Sequence, residues 1–368
     1  MKLLYITNQI SGAAGLERVL SIKASYLADK LGYEVHIITL NQGDVPLFYD
    51  FSDKLIYHDI KVSGNPIKYL RTYRNVLRNK VKEIKPDIIS VCDDGLKAFT
   101  LPFILRKPCP MIYERHVSKN IEVQTEQASI LKKIKTKLVY SLMSFGGKRY
   151  DKFVVLTKDN LQEWNLPNLK VISNPLSFYP EETSNVTNKK VLAVGRQCFQ
   201  KGYDRLLESW KIVSEKFPDW KLEVYGKFEE GAPYHQLAEK LDIDNSVSFH
   251  KPVKNIGEVY KEASIYVMSS RFEGFGMVLI EAMAYGVPCV SYNCPCGPQE
   301  IISDKKDGFL VDNGNITAFA DQIETLIKDQ SLREIMGKEA REKASRYLPE
   351  QIVPQWDALF TQLTKTTS

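Results

Sequence analysis

The chain reads as an α/β protein with two Rossmann-like, doubly wound parallel sheets, one in each half. Three observations predict this. Short apolar runs alternate with longer stretches of helical period, and the series occurs twice over 368 residues. A polar stretch with two prolines, 174–188, divides the two series. In the second series a glycine-rich turn, Gly274-Phe275-Gly276, lies where a strand passes into a helix, the place where open α/β sheets bind ligands.

In the first half, Leu3–Thr7, Glu34–Leu40, Ile88–Val91, Met111–Tyr113 and Phe153–Leu156 read as buried strands. Helical patterns lie between them near Leu16–Leu31, Ile67–Ile84 and Gln124–Tyr150. The strand series resumes at Val191–Gly195, Leu222–Tyr225, Val247–His250, Ile265–Met268, Pro288–Val290 and Phe309–Val311. Its helices run near Tyr203–Phe217, Pro233–Leu241, Ile256–Glu262 and Met277–Tyr285, the last ended by Gly286. An amphipathic helix starts at Pro349. The expected organisation is a first domain, 1–173, a linker, 174–188, and a second domain, 189–348, with 349–368 packing back on the first.

Composition bounds the function. A hydrophobic share of 43% and a charged share of 26% are ordinary for a soluble globular chain. A net charge of +5 is too mild to point to nucleic acid, and it suits an anionic ligand or an anionic membrane face. No run approaches the ~18–20 apolar residues that span a bilayer. Met1 to Ile6 is apolar but breaks at Thr7-Asn8-Gln9, too soon for a signal-peptide core, so a cytoplasmic location is expected. The six cysteines are scattered and are expected to be reduced thiols. Cys294-Pro295-Cys296 is the only close pair, and without a second pair or a His cluster it does not predict a metal site.

The chemistry concentrates in Arg271-Phe272-Glu273-Gly274-Phe275-Gly276-Met277, followed by Glu281. Free backbone N–H groups and the helix dipole at the start of a helix favour a phosphate. Glu273 precedes that helix and Glu281 follows eight positions later, ~12 Å at the standard helical rise. One carboxylate can therefore face each end of a diphosphate-linked sugar, accepting from hydroxyl donors. A second loop, Gly195-Arg196-Gln197-Cys198-Phe199-Gln200-Lys201-Gly202, follows another strand. Its Arg and Lys could neutralise a departing diphosphate without a metal. In the first half, Gly12-Ala13-Ala14-Gly15-Leu16-Glu17-Arg18 joins strand to helix, but its spacing is not that of a dinucleotide loop. Cys92-Asp93-Asp94-Gly95 reads as a turn rather than an acidic metal site, and His116, alone after a strand, reads from its position as structural.

Taken in order, these segments resemble the retaining GT-B glycosyltransferases of family 4, over nearly the whole chain. The Glu273-x7-Glu281 pair looks like that family's hallmark, and Gly195-Arg196 with Lys201-Gly202 like its phosphate-binding pair. Ala14-Gly15-Leu16-Glu17-Arg18 is similar to its Gly-Gly-x-Glu-Arg loop, with alanine for the first glycine. Glu114-Arg115-His116, Ser173-Asn174-Pro175 and Cys294-Pro295-Cys296-Gly297-Pro298-Gln299-Glu300 resemble further family segments, the last from members that build bacterial surface polysaccharides.

The resemblance implies two domains facing across a cleft, a nucleotide-sugar donor, and no metal or other cofactor. It implies that Glu273 holds donor-sugar hydroxyls, that the turn Gly274 to Met277 offers the N–H groups of Phe275, Gly276 and Met277 to sugar and phosphate, and that Glu281 binds the ribose. Arg196 and Lys201 would hold the diphosphate beside Gly195, His116 would reach the donor sugar, the base would lie against His250 to Val253, and Gly15 would border the cleft. The expected reaction moves a hexose, with galactose or N-acetylgalactosamine favoured, from a UDP-sugar to a glycan or lipid-linked glycan in cell-surface polysaccharide synthesis. Two alternatives stand beside it: a nucleotide-sugar epimerase, and a non-catalytic module that binds sugar nucleotides or polysaccharide. Ile130 to Tyr140 pairs four lysines with apolar residues at near-helical spacing, which suits either peripheral contact with an anionic inner-membrane face or a solvated surface helix.

Overall fold

The computed structural model describes residues 1–119, 130–228, 231 and 233–366; the side chains of 130–133 and the sequence-predicted helical residues 124–129 lie outside that description. The chain forms two compact units. One contains Met1–Val117, residues 130–177 and the last helix, Pro349–Lys365; the other contains Phe178–Leu348.

The first unit is built on seven parallel strands: β1 (Lys2–Ile6), β2 (Glu34–Leu40), β3 (Ile56–Ile60), β4 (Ile88–Val91), β5 (Met111–Glu114), β6 (Lys152–Val155) and β7 (Leu169–Val171). They lie in the order β3-β2-β1-β4-β5-β6-β7. The central strands are buried along nearly their whole length because helices cover both faces of such a sheet. The two edge strands escaped the sequence reading. β3 carries exposed Ile56, Tyr57 and Asp59, and β7 has three residues, so neither gives a continuous apolar run. Helix Pro349–Lys365 buries Ile352, Val353, Trp356, Leu359 and Phe360 in this unit, against helix Gly15–Asp29. Tyr33 Oη ties it down by donating to Asp357 Oδ1 at 2.5 Å.

The second unit has six parallel strands: β8 (Lys190–Val194), β9 (Lys221–Tyr225), β10 (Val247–His250), β11 (Ile265–Met268), β12 (Cys289–Asn293) and β13 (Gly308–Asp312). Their order is β10-β9-β8-β11-β12-β13. Helix Tyr203–Lys216 places Trp210 at the centre of the core, where its indole N–H donates to Ser246 Oγ at 3.0 Å. Two helices, Ile316–Lys328 and Gln330–Ala344, lie beyond the last strand that the sequence reading names. Asn315 and Asp329 cap them, accepting from the amides of Ala318 and Leu332.

Much of the stretch 174–188 is tied into the second unit rather than loose. Phe178 packs on Tyr260 and Tyr285, Ser184 Oγ donates to Ala263 O at 2.6 Å, and Arg333 Nε donates to Val186 O at 2.9 Å. In both sheets the strand order reverses once, between β1 and β4 and between β8 and β11. Ligands of open α/β sheets bind beyond the carboxyl ends of the strands at such a reversal. Among the described residues, no helix is long and apolar enough to cross a membrane.

Candidate active site

The loops after β8 and β11 meet at the second unit's reversal point, and several bonds clamp them together. The Arg271 fork spans both Asp204 oxygens at 2.9 and 2.6 Å, and its Nη1 also donates to Phe199 O at 2.8 Å. The guanidinium lies 4.1 Å from the Phe199 ring centroid. Burial alone would raise the Asp204 carboxyl, but the Arg271 bonds hold it below the usual range. Ser269 Oγ donates to Lys201 O at 2.9 Å, and Arg271 N to Gln200 O at 2.8 Å. Gly202, at φ 64°, allows this approach: a Cβ there would stand 2.3 Å from Ser269 O.

The clamp brings together two residues the sequence singled out. Lys201 Nζ donates to Glu273 Oε1 at 2.7 Å, and Ser270 Oγ donates to the same oxygen at 2.6 Å. Glu273 is 5% exposed. Both bonds fall on Oε1, so the carboxylate is fixed in orientation and Oε2 is the oxygen available to a ligand hydroxyl. Arg196, on the same loop as Lys201, is exposed. Ser270 was not among the predicted site residues; its only signal was its position at the end of an apolar strand run, three residues before Glu273.

Gly276 is the N-cap of helix Met277–Ala284, with no side-chain cap on the helix start. Phe275 turns its ring inward against Tyr347, at 5.6 Å between centroids, so it can offer a ligand only its backbone. Gly297, φ 134°, backs this turn; a Cβ there would lie 1.9 Å from Phe275 O. Glu281 sits inside a helix buried all round and is 1% exposed, its Oε2 accepting from Tyr260 Oη at 3.0 Å. Tyr260 is a partner the sequence did not announce. Val253 lies in the loop after β10, partly exposed, and His250 stacks on Tyr225 at 4.3 Å while its Nε2 meets Glu223 at 2.5 Å. Burial, then the Glu273 charge, holds the Cys294 thiol well above its usual range, so it stays protonated. All six cysteines are free thiols.

Gly15 and His116 belong to the first unit. Gly15 opens helix Gly15–Asp29, and a Cβ there would meet no described atom within 4 Å, so packing does not demand glycine at that position. Asp93 forms a turn, its Oδ1 accepting from the Gly95 amide at 2.8 Å and from Asn8 Nδ2 at 2.6 Å. His116 is anchored through its amide to Asp94 Oδ1 at 3.1 Å, and its Nε2 lies 3.3 Å from Glu114 Oε2. Glu114 also takes the ammonium of Lys23, a residue missed in the sequence although it stands on the apolar stripe Val19, Leu20, Ala24, Leu27 of its helix. Burial pushes the Glu114 carboxyl up, but Lys23 and then His116 bring it down to about 2.

This fold and this geometry define a class. Residues 178–343 match the family of glycosyl transferases group 1. The amylovoran biosynthesis glycosyltransferase AmsD of Erwinia amylovora is 32% identical over 98% of this chain and 99% of its own. Among solved structures, sucrose-phosphate synthase of Thermosynechococcus elongatus superposes with a TM-score of 0.82 at 17% identity, each chain covered in full. HepE of Anabaena in complex with UDP gives 0.77 at 20% identity, over 99% of this chain and 100% of its own. The chain belongs to the group 1 glycosyltransferases, and its two parallel-sheet domains are those of the GT-B architecture. The epimerase alternative finds no support in these matches.

Proposed function

We propose that the protein transfers a hexose from a UDP-sugar to a glycan or lipid-linked glycan acceptor during cell-surface polysaccharide synthesis, retaining the anomeric configuration and using no metal. The observation that carries this reading is the Lys201–Glu273–Ser270 cluster, set beside an uncapped helix start where the second sheet reverses. AmsD, named for amylovoran biosynthesis, and HepE, crystallised with UDP, support the acceptor class and the nucleotide. Galactose or N-acetylgalactosamine is the donor sugar we favour, from the Cys294 to Pro298 segment.

On this reading the donor diphosphate lies on the helix start at Gly276 and Met277. Lys201 and Arg196 take up its growing charge as the bond to the anomeric carbon breaks. Glu273 Oε2 accepts from sugar hydroxyls, and Glu281 accepts from the ribose hydroxyls, with the base near Val253. The acceptor oxygen attacks the same face that the diphosphate leaves, and a phosphate oxygen takes the acceptor proton. Catalysis is then mainly positioning and charge stabilisation. Glu273→Ala, Arg196→Ala and Lys201→Ala should each lower transfer by at least ~100-fold, as loss of one transition-state donor does elsewhere. Near-normal rates in a purified Arg196→Ala/Lys201→Ala double variant would sink the leaving-group assignment.

A membrane-facing surface completes the proposal. On helix Ile130–Gly147, Ile134, Leu138, Leu142 and Phe145 form one stripe, each more than half exposed. Phe103 extends it by stacking on Phe145 at 5.5 Å, and Lys135, Lys137, Lys148 and Arg149 are exposed beside it. Apolar residues flanked by cations match the interface of an anionic bilayer, where a lipid-linked acceptor would reside. Of the four lysines that suggested this contact, Lys132 and Lys133 lie outside the described side chains.

A further inference from the structure

The first sheet reverses between β1 and β4, and the side chains just beyond those strands take no part in the donor chemistry. Ile6 and Val91 are paired across the two strands, and Asn8 and Asp93 each lie two residues further on. Their side chains meet, Asn8 Nδ2 donating to Asp93 Oδ1 at 2.6 Å. Lys97, four residues after Asp93, closes the triangle: its Nζ donates to Asn8 Oδ1 and lies 3.6 Å from Asp93 Oδ2. The Asp93 side chain is 2% exposed and forms the floor, held by the Gly95 amide on Oδ1 and by Tyr113 Oη, which donates to its carbonyl at 3.2 Å. The Tyr73 ring backs Lys97, with 5.5 Å from Nζ to its centroid. Asn8 is exposed and the Lys97 side chain is 30% exposed, so these two form the open rim.

A hydrogen-bond count shows what the rim still offers. An ammonium has three N–H groups and a side-chain amide has two. Lys97 gives one to Asn8 and turns its charge toward Asp93; Asn8 gives one to Asp93. Each therefore keeps a donor for a ligand. Adjacent donors can serve a phosphate, a carboxylate or the oxygens of neighbouring hydroxyls, and Asp93 decides among these. An anion brought to Lys97 would also meet the Asp93 charge, which cancels most of the attraction, whereas a hydroxyl oxygen is neutral and meets no such repulsion. We infer that Asn8 and Lys97 bind neighbouring hydroxyls of an uncharged hexose in the glycan acceptor. Asp93 is then a positioning residue that orients both donors and turns anions away. Every contact in this site lies within the first unit. Asp93 forms the turn expected from the sequence, and the same carboxylate is the floor of the site.

The inference rests on the transferase reading for assigning the hexose to the acceptor, and on geometry alone for the site, and the test separates the two. Full-length protein labelled with 15N-asparagine reports on Asn8 through its side-chain amide signals, assigned by their loss in Asn8→Gln. Millimolar titration with methyl β-glucoside, methyl β-galactoside and methyl N-acetyl-β-glucosaminide should shift those signals saturably with at least one of the three. Methyl β-glucuronide and inorganic pyrophosphate should leave them in place. Lys97→Met should bind the active glycoside about 10-fold more weakly, roughly the worth of one hydrogen bond from a charged donor, with UDP affinity within about twofold of wild type. Asp93→Asn keeps an oxygen for Asn8 and Gly95 but removes the charge, so the Asn8 signals should now respond to pyrophosphate and the glucuronide. A merely structural Asp93 would give no such gain. Wild-type signals unmoved by all three glycosides, or moved by pyrophosphate, would overturn the inference. So would equal glycoside affinity in Lys97→Met, or an Asp93→Asn variant that still turns both anions away. Wild type that binds a glycoside but no UDP would uphold the hexose site and count against the transferase reading.

Discussion

Lys201 and Glu273 lie 72 positions apart in the chain and meet at 2.7 Å, with Ser270 on the same carboxylate oxygen. Each of the first two was legible in the sequence because each follows a strand in a glycine-bearing loop. Their contact was not, because it depends on how β8 and β11 pair and on Gly202 admitting Ser269 O. The same holds in the first unit, where Glu114 was visible as part of a motif while its partner Lys23 looked like one more helix lysine. Removing that partner should be expensive: Lys23→Met leaves a buried carboxylate without its cation, and urea unfolding at pH 7 should show a loss of about 3–5 kcal/mol, with most of it recovered in Lys23→Met/Glu114→Gln. The pair should also shape acid stability. The Glu114 carboxyl is held at about 2 in the folded protein against its ordinary 4.5, so its contribution is complete above about 4.5 and disappears as pH falls toward 2. The melting temperature of the wild type should therefore fall across that window more steeply than that of the double variant. Parallel curves would contradict the assignment.

At the scale of elements, the strands with continuous apolar runs were readable, and the two at the edges of the first sheet were not. β3 and β7 are covered on fewer sides, so their sequences need not be apolar, and periodicity has little to detect. Helices Ile316–Lys328 and Gln330–Ala344 did leave signals, in the Asn315 and Asp329 caps and in the spacing of Phe319, Ala320, Ile323, Leu326 and Ile327. For helix Ile130–Gly147 the lysines suggested a membrane contact, and the structure adds an exposed apolar stripe between them. Flotation with phosphatidylglycerol-containing vesicles should carry the protein upward, and phosphatidylcholine alone should do so weakly. Leu138→Ser/Leu142→Ser should abolish flotation while leaving UDP binding intact. Flotation independent of lipid charge, or unaffected by the serines, would remove this surface from the account.

For the whole molecule, the strand order reverses once in each sheet, and in the second it reverses between the strands whose loops carry Arg196, Lys201 and Glu273. The family was legible because its motifs occur in order along the chain, and the match over residues 178–343 falls on the unit holding Arg196, Lys201, Glu273 and Glu281. The sugar and the acceptor were less legible, since they depend on the shape that side chains give the site rather than on the loops that define the class. The central claim is that the second unit is a UDP-sugar site. Calorimetric titration with UDP, GDP, ADP and NAD, all with chelator present, tests it most directly when wild type is run beside Glu281→Gln, which keeps the side-chain volume in its buried position. UDP should bind the wild type best and lose at least ~10-fold in the variant, the worth of charge-assisted bonds to the ribose. Failure of the wild type to bind UDP, or equal UDP affinity in the two proteins, would contradict the account.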